Sequence, residues 1–198
     1  MIGSGTLTKT LANYFARVDF NALDGAALRA TKEHILYTLG TVLAGSSAPG
    51  AQEVLDGARA FGAGQESSVL PCGEKLPAPA AALVNASMAH SRELDINDDR
   101  IAYKSSVAAV PAALALAEKL AGVSGKDFIA AVCVGVDFGI RLGLATNPKP
   151  VHAKPSRLAH LPQRWLAAKF SVSTQPAWPM RWGSPIAAFR LPATARFR

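Results

Sequence analysis

Acidic side chains are missing from the last quarter of this chain. Pro150–Arg198 carries 8 Lys and Arg and no Asp or Glu, a net +8, whereas Met1–Lys149 holds 13 basic and 14 acidic residues, a net −1. The overall +7 therefore belongs to one end, and the balanced remainder argues against a nucleic-acid-binding body. Cysteine is nearly absent: Cys72 and Cys133 are the two present, so no disulfide framework is expected and a reducing compartment is the default. The longest uninterrupted apolar run, Val107–Ala117, falls short of the roughly 18 residues a membrane span needs. The N-terminus, with Ser4, Thr6, Thr8 and Lys9, lacks the apolar core of a signal peptide. A soluble, cytoplasmic protein is the expectation. Period-two alternation and βαβ order are lacking too, which removes the sheet-based classes. Tryptophan is scarce, yet Trp165, Trp178 and Trp182 all lie in the basic end, with seven of the thirteen prolines. Two differently composed pieces are joined near residue 150.

What is present is helical patterning. Leu7, Leu11, Tyr14, Phe15 and Val18 share one helical face, with Thr6 as a candidate N-cap. Asp24 is placed to cap a helix over about Gly25–Ala44, whose stripe is Leu28, Ile35, Leu39 and Val42–Leu43. His34 on that helix is expected to be a surface or half-buried structural residue. Gln52–Phe61 makes a third helix, Ser67–Leu70 a short extended piece, and Pro77 and Pro79 open a fourth helix that runs to about Ser91. Val107–Leu120 follows with Pro111 near its start. Ser124 and Asp127 form a capping-box variant for a last helix to about Leu144. On that helix Gly135, Gly139 and Gly143 leave a smooth stripe for close helix–helix approach, while Asp127, Asp137 and Arg141 rule out its membrane counterpart. The expected fold is all-α: a compact bundle of about six helices over 1–150, with an irregular, poorly ordered tail over 151–198.

Between the fourth and fifth helices lies Ala89–Pro111, AHSRELDINDDRIAYKSSVAAVP. Glu93, Asp95, Asp98 and Asp99 crowd seven positions, with His90 before them and Tyr103–Lys104 after. A polar cluster between two alanine-rich core helices has three uses. A calcium loop needs a glycine and a late Glu in a set alternation, and neither is here. A solvated inter-helix loop is the bland reading. The third is general acid–base work by a histidine and a carboxylate, with Arg100 and Lys104 binding the substrate's negative groups. Cys72 has no base placed near it in sequence and carries no assignment.

AHSRELD, followed by SSVAAVPAALALAEKLAGVSGKDFIAAVCVGVDFGIRLGLA, resembles the N-terminal helical domain of the MmgE/PrpD family, which includes 2-methylcitrate dehydratase and cis-aconitate decarboxylase. LANYFARVDF, LGTVLAGSS and APAAALVNASMAHS fit as well, so the resemblance covers about Leu7–Pro150. The family's His-Ser/Ala-x-Asp/Glu-x-Asp-Asp pattern is matched by His90, Ser91, Glu93 and Asp95. Ile96 stands at the next acidic position and Asp98–Asp99 follow after an offset. Lys104–Ser105 stands where the family has a His-Pro pair whose histidine is catalytic. The resemblance implies removal of a proton α to a carboxylate of a tricarboxylic acid, with loss of water or carbon dioxide, and neither metal nor other cofactor. For that chemistry the expected roles are proton transfer by His90 with Glu93 or Asp95, carboxylate binding by Lys104 and Arg100, and an assisting acid role for Tyr103. The resemblance further implies a homodimer for the full-length family, a small carboxylic-acid partner, and neither nucleic acid nor membrane.

From about Pro155 the resemblance stops. The codons behind Trp178–Pro185, read from the third base, permit Ala-Asn-Ala-Met-Gly-Ile-Ala, which is similar to the family's continuation. A shifted reading frame is therefore the expected origin of the tail, and a truncated lyase the expected identity. A decarboxylase or isomerase of the same family, a non-catalytic helical scaffold, and a basic–aromatic nucleic-acid binder working through the tail are the alternatives.

Overall fold

The computed structural model describes residues 14–60, 62–101 and 103–145. Most of the helix expected over Leu7–Val18 lies outside them, as does the whole tail expected over 151–198. Residues 14–17 are helical, and Phe15 is buried with its ring edge-on to Phe138, 5.2 Å between centroids.

Helix ends follow local chemistry. Asp19 caps a single 3-10 turn, Phe20–Ala22, by accepting from two backbone N–H groups. Helix α1, Gly25–Gly45, begins where the Asp24 carboxylate accepts the Ala27 N–H at 2.7 Å, satisfying one of the donors a first turn leaves open. Helix α2 is Ala51–Arg59. Helix α3, Ala78–His90, opens behind Pro77, and α4 is Ser105–Leu120. Helix α5, Gly125–Ala145, starts with the expected box: Ser124 Oγ accepts from Asp127 N–H at 3.1 Å and donates to its carboxylate at 2.7 Å. Helix α4 begins two residues earlier than its apolar run, because Ser105 and Ser106 are buried and continue the same face.

Alanine does most of the packing. Helix α3 lies between α1 and α4, with α2 against it, and α5 covers α4 and α1. One core joins Val42, Leu55, Val69, Val84 and Met88; a second joins Ala109, Val110, Ala113, Ala131 and Val132. Small side chains let the axes come close, and close packing replaces the area that larger residues would bury. At Gly45 a Cβ would run into the Met88 carbonyl, so α1 can cross the end of α3 only with glycine there. Helix α5 is long and apolar enough to cross a membrane (mean hydropathy 1.9), yet Ala130, Ala131, Val132, Val134 and Phe138 on it are buried within the bundle.

The described residues also contain a minimal hairpin, β1 Ser67–Ser68 paired antiparallel with β2 Lys75–Leu76. Strands of two residues are too short to show alternation, which is why an extended piece and not a pair was expected. Side chains hold the hairpin from outside. The Asn85 amide accepts from Leu70 N–H at 2.8 Å and donates to Ser68 C=O at 3.0 Å, while Ser67 Oγ donates to Ala115 C=O at 2.6 Å.

Candidate active site

The C-terminus of α3 and the loop to α4 build the polar cluster. His90 is the last residue of α3, and the chain turns back at Glu93, whose φ of 55° lies in the left-handed region that residues other than glycine, asparagine and aspartate rarely adopt. That turn brings the Glu93 carboxylate back toward the helix it has just left. Farther along, Asp98 and Tyr103 form an antiparallel bridge, with Asp98 N–H donating to Tyr103 C=O at 3.0 Å. The bridge closes the loop, so that Lys104 re-enters beside Glu93 and Asp95.

Four of the six expected site residues meet. His90 Nδ1 lies 2.9 Å from Asp95 Oδ2, and His90 Nε2 lies 3.5 Å from Glu93 Oε1. Lys104 Nζ donates to Asp95 Oδ1 at 3.0 Å and to Glu93 Oε2. Burial divides the roles. The Asp95 side chain is 2% exposed, Lys104 25%, His90 51% and Glu93 71%. A buried carboxylate is stable only when its oxygens are hydrogen-bonded and its charge is matched, and Asp95 has one partner on each oxygen. A carboxylate beside an ammonium accepts, which assigns His90 Nδ1 as the donor and leaves Nε2, on the exposed imidazole, beside the Glu93 carboxylate. Burial opposes the charge on Lys104, but its bonds to Glu93 and Asp95 together outweigh that and raise its pKa. The Lys104 bond, then the charges of His90 and Lys104, hold the Glu93 carboxyl below its ordinary range.

The other two expected residues are spent elsewhere. Arg100 donates from Nε and Nη2 to the two oxygens of Asp98, at 3.0 and 2.6 Å, and faces solvent. That bond holds the Asp98 carboxyl down and raises the guanidinium. Tyr103 is buried against α5, and burial pushes its phenol well above the ordinary value. Neither side chain lies with the His90 group. The glycine stripe of α5 also differs from expectation: at Gly139 and Gly143 it receives the loop residues Tyr103 and Ile101 and not another helix.

His90, Glu93 and Asp95 have ligand atoms within 4.8 Å of one another, a spacing that could hold a metal ion. Lys104 Nζ, bonded to both carboxylates, already supplies the positive charge such an ion would bring. The donor set therefore fits an internal lysine better than a divalent cation. A separate groove of about 830 Å³ lies between Arg17, Asp24 and α5. Three of its charged groups have structural partners: Asp24 caps α1, and Asp137 pairs with Arg141 at 2.7 Å. His34 is half-buried as expected, and burial lowers its pKa.

The MmgE/PrpD N-terminal domain, as a family, matches residues 9–173. The chain belongs to the MmgE/PrpD family. The match covers well over half of the chain and runs past Pro150, where the composition changes, to residue 173. No curated protein matches the chain. Within this family member the His90–Asp95–Lys104–Glu93 group follows directly on the α3 segment that carried the sequence resemblance.

Proposed function

We propose that this MmgE/PrpD chain carries the proton-transfer wall of a lyase acting on small polycarboxylic acids, in the manner of 2-methylcitrate dehydratase. The observation that carries the reading is the 2.9 Å bond from exposed His90 to the buried Asp95 carboxylate. Asp95 fixes the imidazole's tautomer and orientation, so His90 Nε2 serves as the base for a proton α to a substrate carboxylate. Lys104 holds Asp95 in place and keeps one N–H direction beyond its two carboxylate bonds for the substrate. Glu93, exposed and 3.5 Å from Nε2, stays ionised beside Lys104 and stabilises the imidazolium that forms when His90 takes the proton, which His90 then delivers to the leaving group.

Charge sets a limit on this wall. With neutral His90 the group sums to −1, from Glu93, Asp95 and Lys104. A net negative surface does not by itself hold a tricarboxylate. The cations that anchor the substrate's other carboxylates come from outside this cluster, since Arg100 is engaged by Asp98.

The test is turnover of 2-methylcitrate and of cis-aconitate by the purified chain, and by a longer family member carrying the same cluster. His90→Gln and Asp95→Asn should each lower turnover by about 10²–10⁴-fold, the range general acid–base groups contribute. Unchanged turnover in both variants would remove the cluster from the mechanism. Loss of water, loss of carbon dioxide and isomerisation are separated by product analysis in the same assay. A second reading, a non-catalytic scaffold, is favoured by exposed Leu36, Tyr37 and Leu43 on α1 and Leu83 on α3. It predicts self-association on size-exclusion chromatography, in keeping with a homodimeric family member, and no turnover of either acid.

A further inference from the structure

We propose that Gly139 and Gly143 of α5 are positioning residues for the cluster: the notches they leave receive Tyr103 and Ile101, and that seating holds Lys104 between Glu93 and Asp95. A Cβ at Gly139 would lie 2.7 Å from Tyr103 Cε1 and 3.1 Å from its hydroxyl oxygen. One at Gly143 would lie 2.5 Å from Ile101 Cδ1. Both contacts come from the far side of the loop that carries the charges. Tyr103 is 3% exposed and directly precedes Lys104, while its backbone is tied to Asp98. A ring held from below by a helix and along its backbone by the bridge leaves Lys104 few directions in which to extend.

The mechanical chain runs from Gly139 to Tyr103, to Lys104 Nζ, to Asp95, and from Asp95 to His90 Nδ1. The first link is the ring lying where a Cβ at Gly139 would be, the second is the peptide bond from Tyr103 to Lys104, and the last two are side-chain bonds of 3.0 and 2.9 Å. Lysine has a long, flexible stem that holds no fixed place by itself, and Glu93 is too exposed to fix it. What fixes it is a buried neighbour whose own position is over-determined. Glycine is needed at 139 because the Tyr103 ring lies where a side chain would be, not because the helix bends there. Glycine is a poorer helix former than alanine, so two such residues four apart on α5 carry a stability cost that close approach of the loop explains.

The experiment compares the reductive methylation rate of Lys104 with that of Lys126, read by mass spectrometry well below the melting temperature. Gly139→Ala displaces the ring, and Lys104 should react about tenfold faster relative to Lys126 as its charge-assisted bonds loosen. Tyr103→Leu, which leaves a gap and not a clash, should act in the same direction and serves if Gly139→Ala fails to fold. The double variant Gly139→Ala with Tyr103→Leu should return Lys104 toward its original rate, because the new methyl fills the space the ring vacated. Gly40→Ala, where a Cβ meets nothing within 4 Å, is the control. An unchanged Lys104 rate in both single variants overturns the proposal, as does a double variant no slower than the singles. These readings need no substrate, so they stand apart from the acid–base role of His90. A drop in turnover tracking the Lys104 rate would join the two.

Discussion

Two ion-pair networks on this molecule use the same side-chain chemistry and differ in where one carboxylate sits. Arg59 of α2 bridges Glu74 beside the hairpin, with bonds of 2.9 and 2.6 Å, and also pairs with Asp56 one turn earlier. Every member faces water, and the network ties an edge of the fold together. In the His90 cluster the geometry is no better, but Asp95 is enclosed and its partners are graded outward, from Lys104 to His90 to Glu93. An exposed network is interchangeable with solvent. A network with a buried acceptor and an exposed imidazole fixes the direction of the ring, which is what the proposed base requires. Bond lengths alone do not distinguish the two; burial of one member does.

The largest expected contrast is between the two aspartates. Asp95→Ala removes the enclosed partner of both Lys104 and His90, leaving Lys104 with exposed Glu93, and should cost about 2 kcal/mol or more in urea unfolding, whereas Asp56→Ala should stay within about 0.5 kcal/mol. Equal costs would erase the distinction. Next is a buried polar bracket without charge: Asn85→Leu leaves Leu70 N–H and Ser68 C=O unpaired, at about 1–3 kcal/mol. Denaturant midpoints for these variants would sharpen how much of the Asp95 effect is charge and how much is burial.

Acid should act on both networks. Glu74 is held below its ordinary value first by the Arg59 bond, as Glu93 is by Lys104, and Glu66 by the backbone N–H of Ala78 and then Lys119. Each carboxyl binds its proton more weakly folded than unfolded. Its contribution is therefore complete above the unfolded value of 4.5 and is lost as pH falls through the lower folded one. Melting curves from pH 6 to pH 3 should show this acid limb, and Glu93→Gln or Glu74→Gln should each flatten it slightly. The smallest effect is with salt. At 1 M, where screening acts over about 3 Å, Glu74→Gln should no longer differ from the parent in stability, while the cost of Asp95→Ala should persist.

Much of this was legible in the chain because it is local. The Asp24 cap, the Ser124–Asp127 box and the periodic alanines each depend on residues within a turn or two of one another. The polar cluster was legible as a region for the same reason, since His90 through Lys104 are close in sequence. Its membership was not. Arg100 and Lys104 look equivalent in composition, yet one closes on Asp98 two residues away and the other reaches back across the loop. The left-handed turn at Glu93 and the Asp98–Tyr103 bridge decide between them, and neither has a residue signature: a glycine or asparagine would have announced the turn, and a glutamate does not. The hairpin was likewise hidden, because strands this short are braced by distant helix groups: the Asn85 and Glu118 side chains and the Ala115 carbonyl, which accepts from Ser67.

By itself, the sequence determined an all-helical body, most of its helix ends, membership in the MmgE/PrpD family and the stretch where the charges gather. Those follow from periodicity and short-range hydrogen bonding, which a chain carries in its order. Only the tertiary structure decided that Asp95 is buried, that His90 is oriented by it, and that Tyr103 and Ile101 rest on Gly139 and Gly143 of a helix some forty residues away. Burial and close approach are properties of what lies opposite a residue, and no neighbour in sequence can supply them.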